Sequence, residues 1–158
     1  MKFHRKSLLL KAAFLGAFVT ALWMPLAKSQ SCAPLTLSAF PNGGFFTLDD
    51  ENLSADPLFV EMNVNPRNGA LTGSVQIGSY SSSLTGSATQ VGTNGLLVNF
   101  SWELPPFTFN YTGAISVLGQ SCAMFLAGTY TETTMLYPLP PTTSGPYPFS
   151  GRWSRGPN

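Results

Sequence analysis

The feature that most constrains this chain is an alternation of apolar and polar residues with a period of two. Leu58, Val60, Met62 and Val64 are apolar, whereas Glu61, Asn63 and Asn65 are polar. A period of two puts one set on one face, which describes a strand with a single buried side. Leu96, Val98, Phe100, Trp102 and Leu104 repeat the pattern against Asn99, Ser101 and Glu103. Phe107, Phe109, Tyr111, Ile115 and Val117 repeat it again, and Pro105-Pro106 marks the turn between these two runs. Weaker candidates are Leu35–Phe40, Phe45–Leu48, Ala70–Tyr80, Ser82–Val91, Ser121–Thr133 and Tyr147–Ser154. Glycine, proline and asparagine clusters at 41–44, 66–69, 93–95 and 119–120 separate them. Beyond the N-terminal segment no stretch has a helical period. The expected fold is all-β, a single antiparallel meander of about eight or nine strands, with a closed barrel preferred over a β-sandwich.

The preference for a barrel comes from glycine. An apolar residue, a small one and then Gly recur at Leu71-Thr72-Gly73, Leu84-Thr85-Gly86, Tyr111-Thr112-Gly113, Leu126-Ala127-Gly128 and Phe149-Ser150-Gly151. Their spacing is irregular, so they are not solenoid repeats. Glycine inside a strand weakens it and marks a bulge, a bend or a close backbone approach, which a strongly coiled or closed sheet requires. Tyr137–Pro148 interrupts the meander with five prolines in twelve residues. Proline lacks the ladder donor, so a stiff connecting loop is expected there. A lid using Tyr137 and Tyr147 is the functional alternative.

The first 29 residues have the layout of a secretory signal: a basic stretch to Lys11, an apolar run from Ala12 to Met24, then Pro25 and small residues ending at Ser29. This run of 13 residues falls short of the roughly 20 a spanning helix needs. The expected organisation is therefore a signal at 1–29 and one β domain at 30–158, with the Pro-rich loop at 137–148. Two cysteines remain after the signal, Cys32 and Cys122. In the oxidising compartment that a signal implies, secreted or periplasmic, they are expected to form a disulfide. Asn52, Asn99 and Asn110 begin Asn-x-Ser/Thr sequons, which would carry glycans only in a eukaryotic host.

After Lys28 there is no lysine and no histidine, and three arginines face seven carboxylates, 3 − 7 = −4. Without His, Lys or a free Cys, the common routes to general-base catalysis, Schiff-base chemistry and zinc binding are closed. Three arginines on an acidic chain make a poor nucleic-acid surface. Asp49-Asp50-Glu51-Asn52 with Asp56 supplies oxygens, but without the glycine and terminal glutamate of a calcium loop it reads as a solvated acidic turn. Glu61, Glu103 and Glu132 lie in or at the ends of strands, and Glu61 and Glu103 fall on polar faces, as ordinary solvated glutamates do. The expectation is a protein that is not an enzyme and has no cofactor and no metal.

Aromatic residues are the remaining candidates. Phe100, Trp102, Phe107, Phe109 and Tyr111 fall on the apolar faces of two adjacent strands, and Tyr130 and Trp153 join from later ones. In a barrel of about eight strands such residues fill the interior or line a pocket for one small ligand. The order of features, an N-terminal cysteine, meandering strands, Phe100-Ser101-Trp102 and a late Phe149-Ser150-Gly151-Arg152-Trp153, resembles in pattern the small secreted barrels of the avidin and lipocalin type. The resemblance spans about Leu71 to Trp153, includes no diagnostic motif and carries over no binding residue. Three functions remain open. One is a secreted barrel binding a small apolar or neutral ligand. Another is a structural or protein-interaction module, such as an inhibitor or surface-associated protein, with no ligand cavity and an extracellular protein as partner. The third is an outer-membrane barrel with its apolar face in lipid. The C-terminal Gly156-Pro157-Asn158 and the short candidate strands disfavour the third, so no membrane association is expected once the signal is removed.

Overall fold

A computed structural model describes residues 32–49, 57–119 and 121–155. The chain divides into two units, Met1–Gln30 and Ser31–Asn158, and all described residues belong to the second. The secretory signal read at 1–29 lies outside the described residues.

Eight strands follow in order: β1 (Gly44–Asp49), β2 (Leu58–Val64), β3 (Ala70–Ile77), β4 (Tyr80–Val91), β5 (Gly95–Leu104), β6 (Phe107–Leu118), β7 (Ala123–Thr134) and β8 (Thr142–Arg155). Each pairs antiparallel with the next, and β8 returns to β1 through Gly44↔Arg155 to Asp49↔Ser150, so the meander closes into a barrel. Closure leaves no free sheet edge over that span.

The alternation sets which residues face inward. Leu58, Val60, Met62 and Val64 are buried, as are Leu96, Val98, Phe100 and Trp102. Their neighbours Glu61, Asn99 and Glu103 are exposed. Outward positions on β4 to β7 are mostly hydroxyls and amides, with cross-strand rows such as Thr85, Ser101, Asn110 and Thr131.

Gly73, Gly86, Gly113, Gly128 and Gly151 all occupy inward-register positions. A side chain there would strike neighbouring backbone, Glu61 O at Gly73 and Thr112 O at Gly128. The recurring motif thus marks places where adjacent strands coil tightly across one another. Gly128→Ala is expected to cost about 1–3 kcal/mol of stability, because backbone cannot move aside as a flexible side chain can. Urea unfolding followed by far-UV circular dichroism reads this directly.

Three strand assignments change. Leu35–Phe40 is not a strand: Leu35 makes one isolated bridge to Asn94, and Leu37–Ala39 is a short 3-10 turn capped by the Thr36 hydroxyl. With the barrel closed, this segment has no edge to join and instead covers one end, burying Leu35 and Phe40. Ala70–Tyr80 divides at the Gly78–Ser79 turn, where Gly78 has φ +56°, and Tyr80 begins β4. The Pro-rich loop is shorter than 137–148, because β8 already begins at Thr142 and contains Pro146 and Pro148. Only residues 150–152 of β8 are paired on both sides, and its first half lies beside β7 alone. Proline is tolerated on such a one-sided stretch, and the register shift between Tyr130 and Glu132 accommodates the irregularity.

The two ends of the barrel differ. The loop end carries the Gly78–Ser79 and Pro105–Pro106 turns and the 135–141 connection. The disulfide end carries the 65–69, 92–94 and 119–122 turns, the N-terminal segment and Arg155. Cys32 and Cys122 are joined there with Cα atoms 5.3 Å apart, tying the N-terminal segment to the β6–β7 turn.

The Gln90 side chain fastens the same segment. Its Oε1 accepts from Leu37 N at 2.9 Å, and its Nε2 donates to Leu35 O at 2.9 Å and Gly92 O at 2.8 Å. Gln90→Leu keeps the side-chain volume but leaves these backbone groups without the amide. It is expected to cost about 1–3 kcal/mol. Earlier cleavage of the N-terminal segment in limited proteolysis would accompany that loss.

Candidate functional site

Five of the seven aromatic candidates form one contiguous group inside the barrel. Register places Phe100 beside Tyr111 and Tyr111 beside Tyr130, while Trp102 lies beside Phe109. The rings stack accordingly: Phe100 on Tyr111 at 4.8 Å, Tyr111 on Tyr130 at 4.9 Å and Trp102 on Phe109 at 4.5 Å. Phe149 closes edge-on against Tyr111 at 5.0 Å. Trp102, Phe109, Tyr111 and Tyr130 are each no more than 2% exposed. These side chains come from adjacent strands at matching inward positions, so cross-strand pairing alone brings them together.

The other two candidates lie toward the two ends of the barrel. Phe107 is half-buried at the loop end, 6.3 Å from the Phe109 ring. Trp153 is near the disulfide end, edge-on to Phe46 at 5.1 Å and Phe40 at 5.7 Å. Tyr147 points inward from β8 against Tyr130 at 5.4 Å, whereas Tyr137 is fully exposed, so the two tyrosines of the Pro-rich stretch do not act together.

Trp102 Nε1, in the aromatic interior, is buried and has no hydrogen-bond partner among the described residues. A desolvated N–H without an acceptor is costly and marks a place for one acceptor atom.

A concavity of about 440 Å³ lies outside the barrel and is lined by Gly43, Gly44, Phe45, Phe59, Glu61, Ser74 and Gln76. Phe45 and Phe59 meet edge-on at 5.4 Å across β1 and β2, and Ser74 donates to Glu61 Oε2 at 3.3 Å. Sequence reasoning did not single out this aromatic pair, although Phe59 breaks the alternation by standing between buried Leu58 and Val60. A second depression of about 290 Å³ lies on the hydroxyl face between β4, β5 and β6. Asn99 and Asn110 border it, both exposed, and Asn99 Oδ1 accepts from Thr112 at 2.9 Å. Asn52 lies outside the described residues.

The carboxylates do not converge. Glu61 and Glu103 face outward on β2 and β5, while Glu132 takes an inward register position opposite Phe109 and is half-buried. Asp49 ends β1, and Asp50, Glu51, Asn52 and Asp56 lie outside the described residues. Among the described residues no three His, Cys, Asp or Glu side chains are grouped to hold a metal ion.

No family model, no curated protein sequence and no solved structure matches this chain.

Proposed function

We propose that this chain is a secreted or periplasmic, non-enzymatic barrel that works as a structural or protein-interaction module, through its outer surface and ends. The observation that carries this reading is the interior. Stacked rings occupy the space where a small barrel would hold a ligand, and an eight-stranded barrel is only just wide enough for either. The disulfide fits an oxidising compartment. Ser, Thr and Asn on the outward face of β4 to β7 suit water rather than lipid, which weighs against an outer-membrane barrel.

A second reading, an interior site for a small apolar or neutral molecule, is favoured by the unmatched Trp102 Nε1. An acceptor such as a ligand carbonyl would satisfy it, with Phe100, Phe109, Tyr111 and Tyr130 as the enclosing rings. Native mass spectrometry of the protein purified from its own host, without reductant, separates the two readings. The module reading expects the bare mass of the processed chain, two hydrogens lighter for the disulfide. A stoichiometric non-covalent adduct, lost on gentle activation, would replace it with the ligand-binding reading.

A further inference from the structure

Both ends of the barrel expose large apolar side chains, and the charges beside them are of opposite sign at the two ends. At the loop end, Met135, Leu136, Tyr137 and Leu139 are 57%, 51%, 100% and 65% exposed. The Met135 N–H donates to Pro106 O at 2.9 Å, which fixes this apolar loop against the β5–β6 turn. Glu103 stands two residues before that turn, Glu132 three before Met135, and Asp49 ends β1 at the same end.

The disulfide end has the complementary character. All three arginines after the signal are there: Arg67 in the β2–β3 turn, and Arg152 and Arg155 in the last four residues of β8. All three are exposed. Val91, Leu97 and Leu118 are the exposed large apolar residues of this end, at 50%, 48% and 48%. Register brings them together, since Val91 and Gly95 frame the β4–β5 turn and Gly95 pairs with Ser116, two residues from Leu118. Phe125 pairs with the same Ser116, and the Arg152 guanidinium lies 5.1 Å over its ring. The patch is therefore apolar with a cation on top, where the opposite end is apolar with carboxylates around it.

From this complementarity we infer that the occupant of each end is the other end of a second copy of this chain, giving head-to-tail association along the barrel axis. The contact is heterologous, because the two surfaces are different. Nothing in it limits growth to a dimer, and the product is an open chain of barrels. The acidic rim opposes an anionic lipid surface, and the closed sheet offers no strand edge along its fully paired span for addition of a peptide strand. The inference rests on the module reading and names its partner.

The test uses the chain as its host processes it, with mass measured by light scattering after size exclusion. Wild type is expected to show a weight-average mass that rises with concentration without levelling at the dimer. Raising NaCl from about 0.05 M to about 0.5 M should weaken association, because opposed surface charges are screened over that range. Two variants decide direction. Leu136→Ser with Tyr137→Ser spoils the loop end, and Arg152→Glu spoils the disulfide end; each is expected to weaken self-association about tenfold or more. Mixed together they retain one intact end each and should form a 1:1 dimer that grows no further. All these residues are at least half exposed or on the outer face, and unchanged melting temperatures would confirm intact folding. Persistent monomers in the wild type would overturn the inference. So would undiminished self-association of Arg152→Glu, which would mean like ends meet. Either failure leaves the module reading to its own test, since a bound ligand adds a mass that is not a multiple of the chain's own.

Discussion

Trp102→Ala is expected to destabilise the barrel by about 3–5 kcal/mol, the range for removing a large buried ring. Its indole is 2% exposed and stacks on Phe109 at 4.5 Å, with Leu84 opposite it on β4. The strands around it are hydrogen-bonded on both sides, so the sheet cannot collapse into the vacated space, which puts the cost in the upper part of that range. Trp102→Phe isolates the other contribution. It keeps one ring on Phe109 while removing the unmatched Nε1–H, whose burial costs about 1–3 kcal/mol. The lost ring volume and the relieved N–H oppose each other, so Trp102→Phe should fall within about 1 kcal/mol of wild type. Chemical unfolding of the three proteins gives both numbers. A Phe variant as damaging as the Ala variant would mean that the indole nitrogen has an acceptor after all.

Removing the disulfide is the second large effect. The bridge closes a sequence separation of 90 residues, which in the chain-entropy description corresponds to about 4–5 kcal/mol. Cys32→Ser with Cys122→Ser avoids leaving a reactive thiol and should lower stability by most of that amount. The loss should be slightly less than additive with Gln90→Leu. Both fasten the same N-terminal segment, and once one is gone the other has less ordered structure to hold. Thermal unfolding of the double and triple variants measures this coupling. A disulfide-free protein with unchanged stability would show that the segment contributes nothing to the folded barrel.

How much of this was legible in the sequence follows from where the physical signal is local. The period-two runs at Leu58–Val64 and Leu96–Leu104 became strands with the predicted inward faces, because burial of one face of a sheet is written in every second residue. The recurring glycines pointed to a closed barrel, since each is a position where only a hydrogen fits beneath a neighbouring strand. The pairing of Cys32 with Cys122 followed from there being only two cysteines in the sequence. What stayed hidden depends on pairing across the sheet. Leu35–Phe40 has strand-like residues, but a barrel already closed leaves them no partner. Pro146 and Pro148 enter β8 because β1 ends before reaching them, a fact about a strand over ninety residues away. Gln90 gives no sign in the sequence that its amide will hold the N-terminal segment. The stacking of Phe100, Tyr111 and Tyr130 was suggested by their shared face, but whether those rings surround a space or fill it is a question of register and volume. The placing of charge was invisible for the same reason: Glu103, Glu132 and Asp49 are far apart in sequence and come to the same end of the barrel only through the order of the strands.

The central claim, a barrel whose interior is filled by its own aromatic side chains, is tested most directly by hydrogen exchange at the Trp102 indole followed by NMR. A filled interior keeps water from Nε1, so this proton should exchange only with global unfolding, as slowly as the best-protected amides of β5 and β6. An indole that exchanges as fast as an exposed tryptophan, while those amides stay protected, would show a solvent-filled interior and contradict the account.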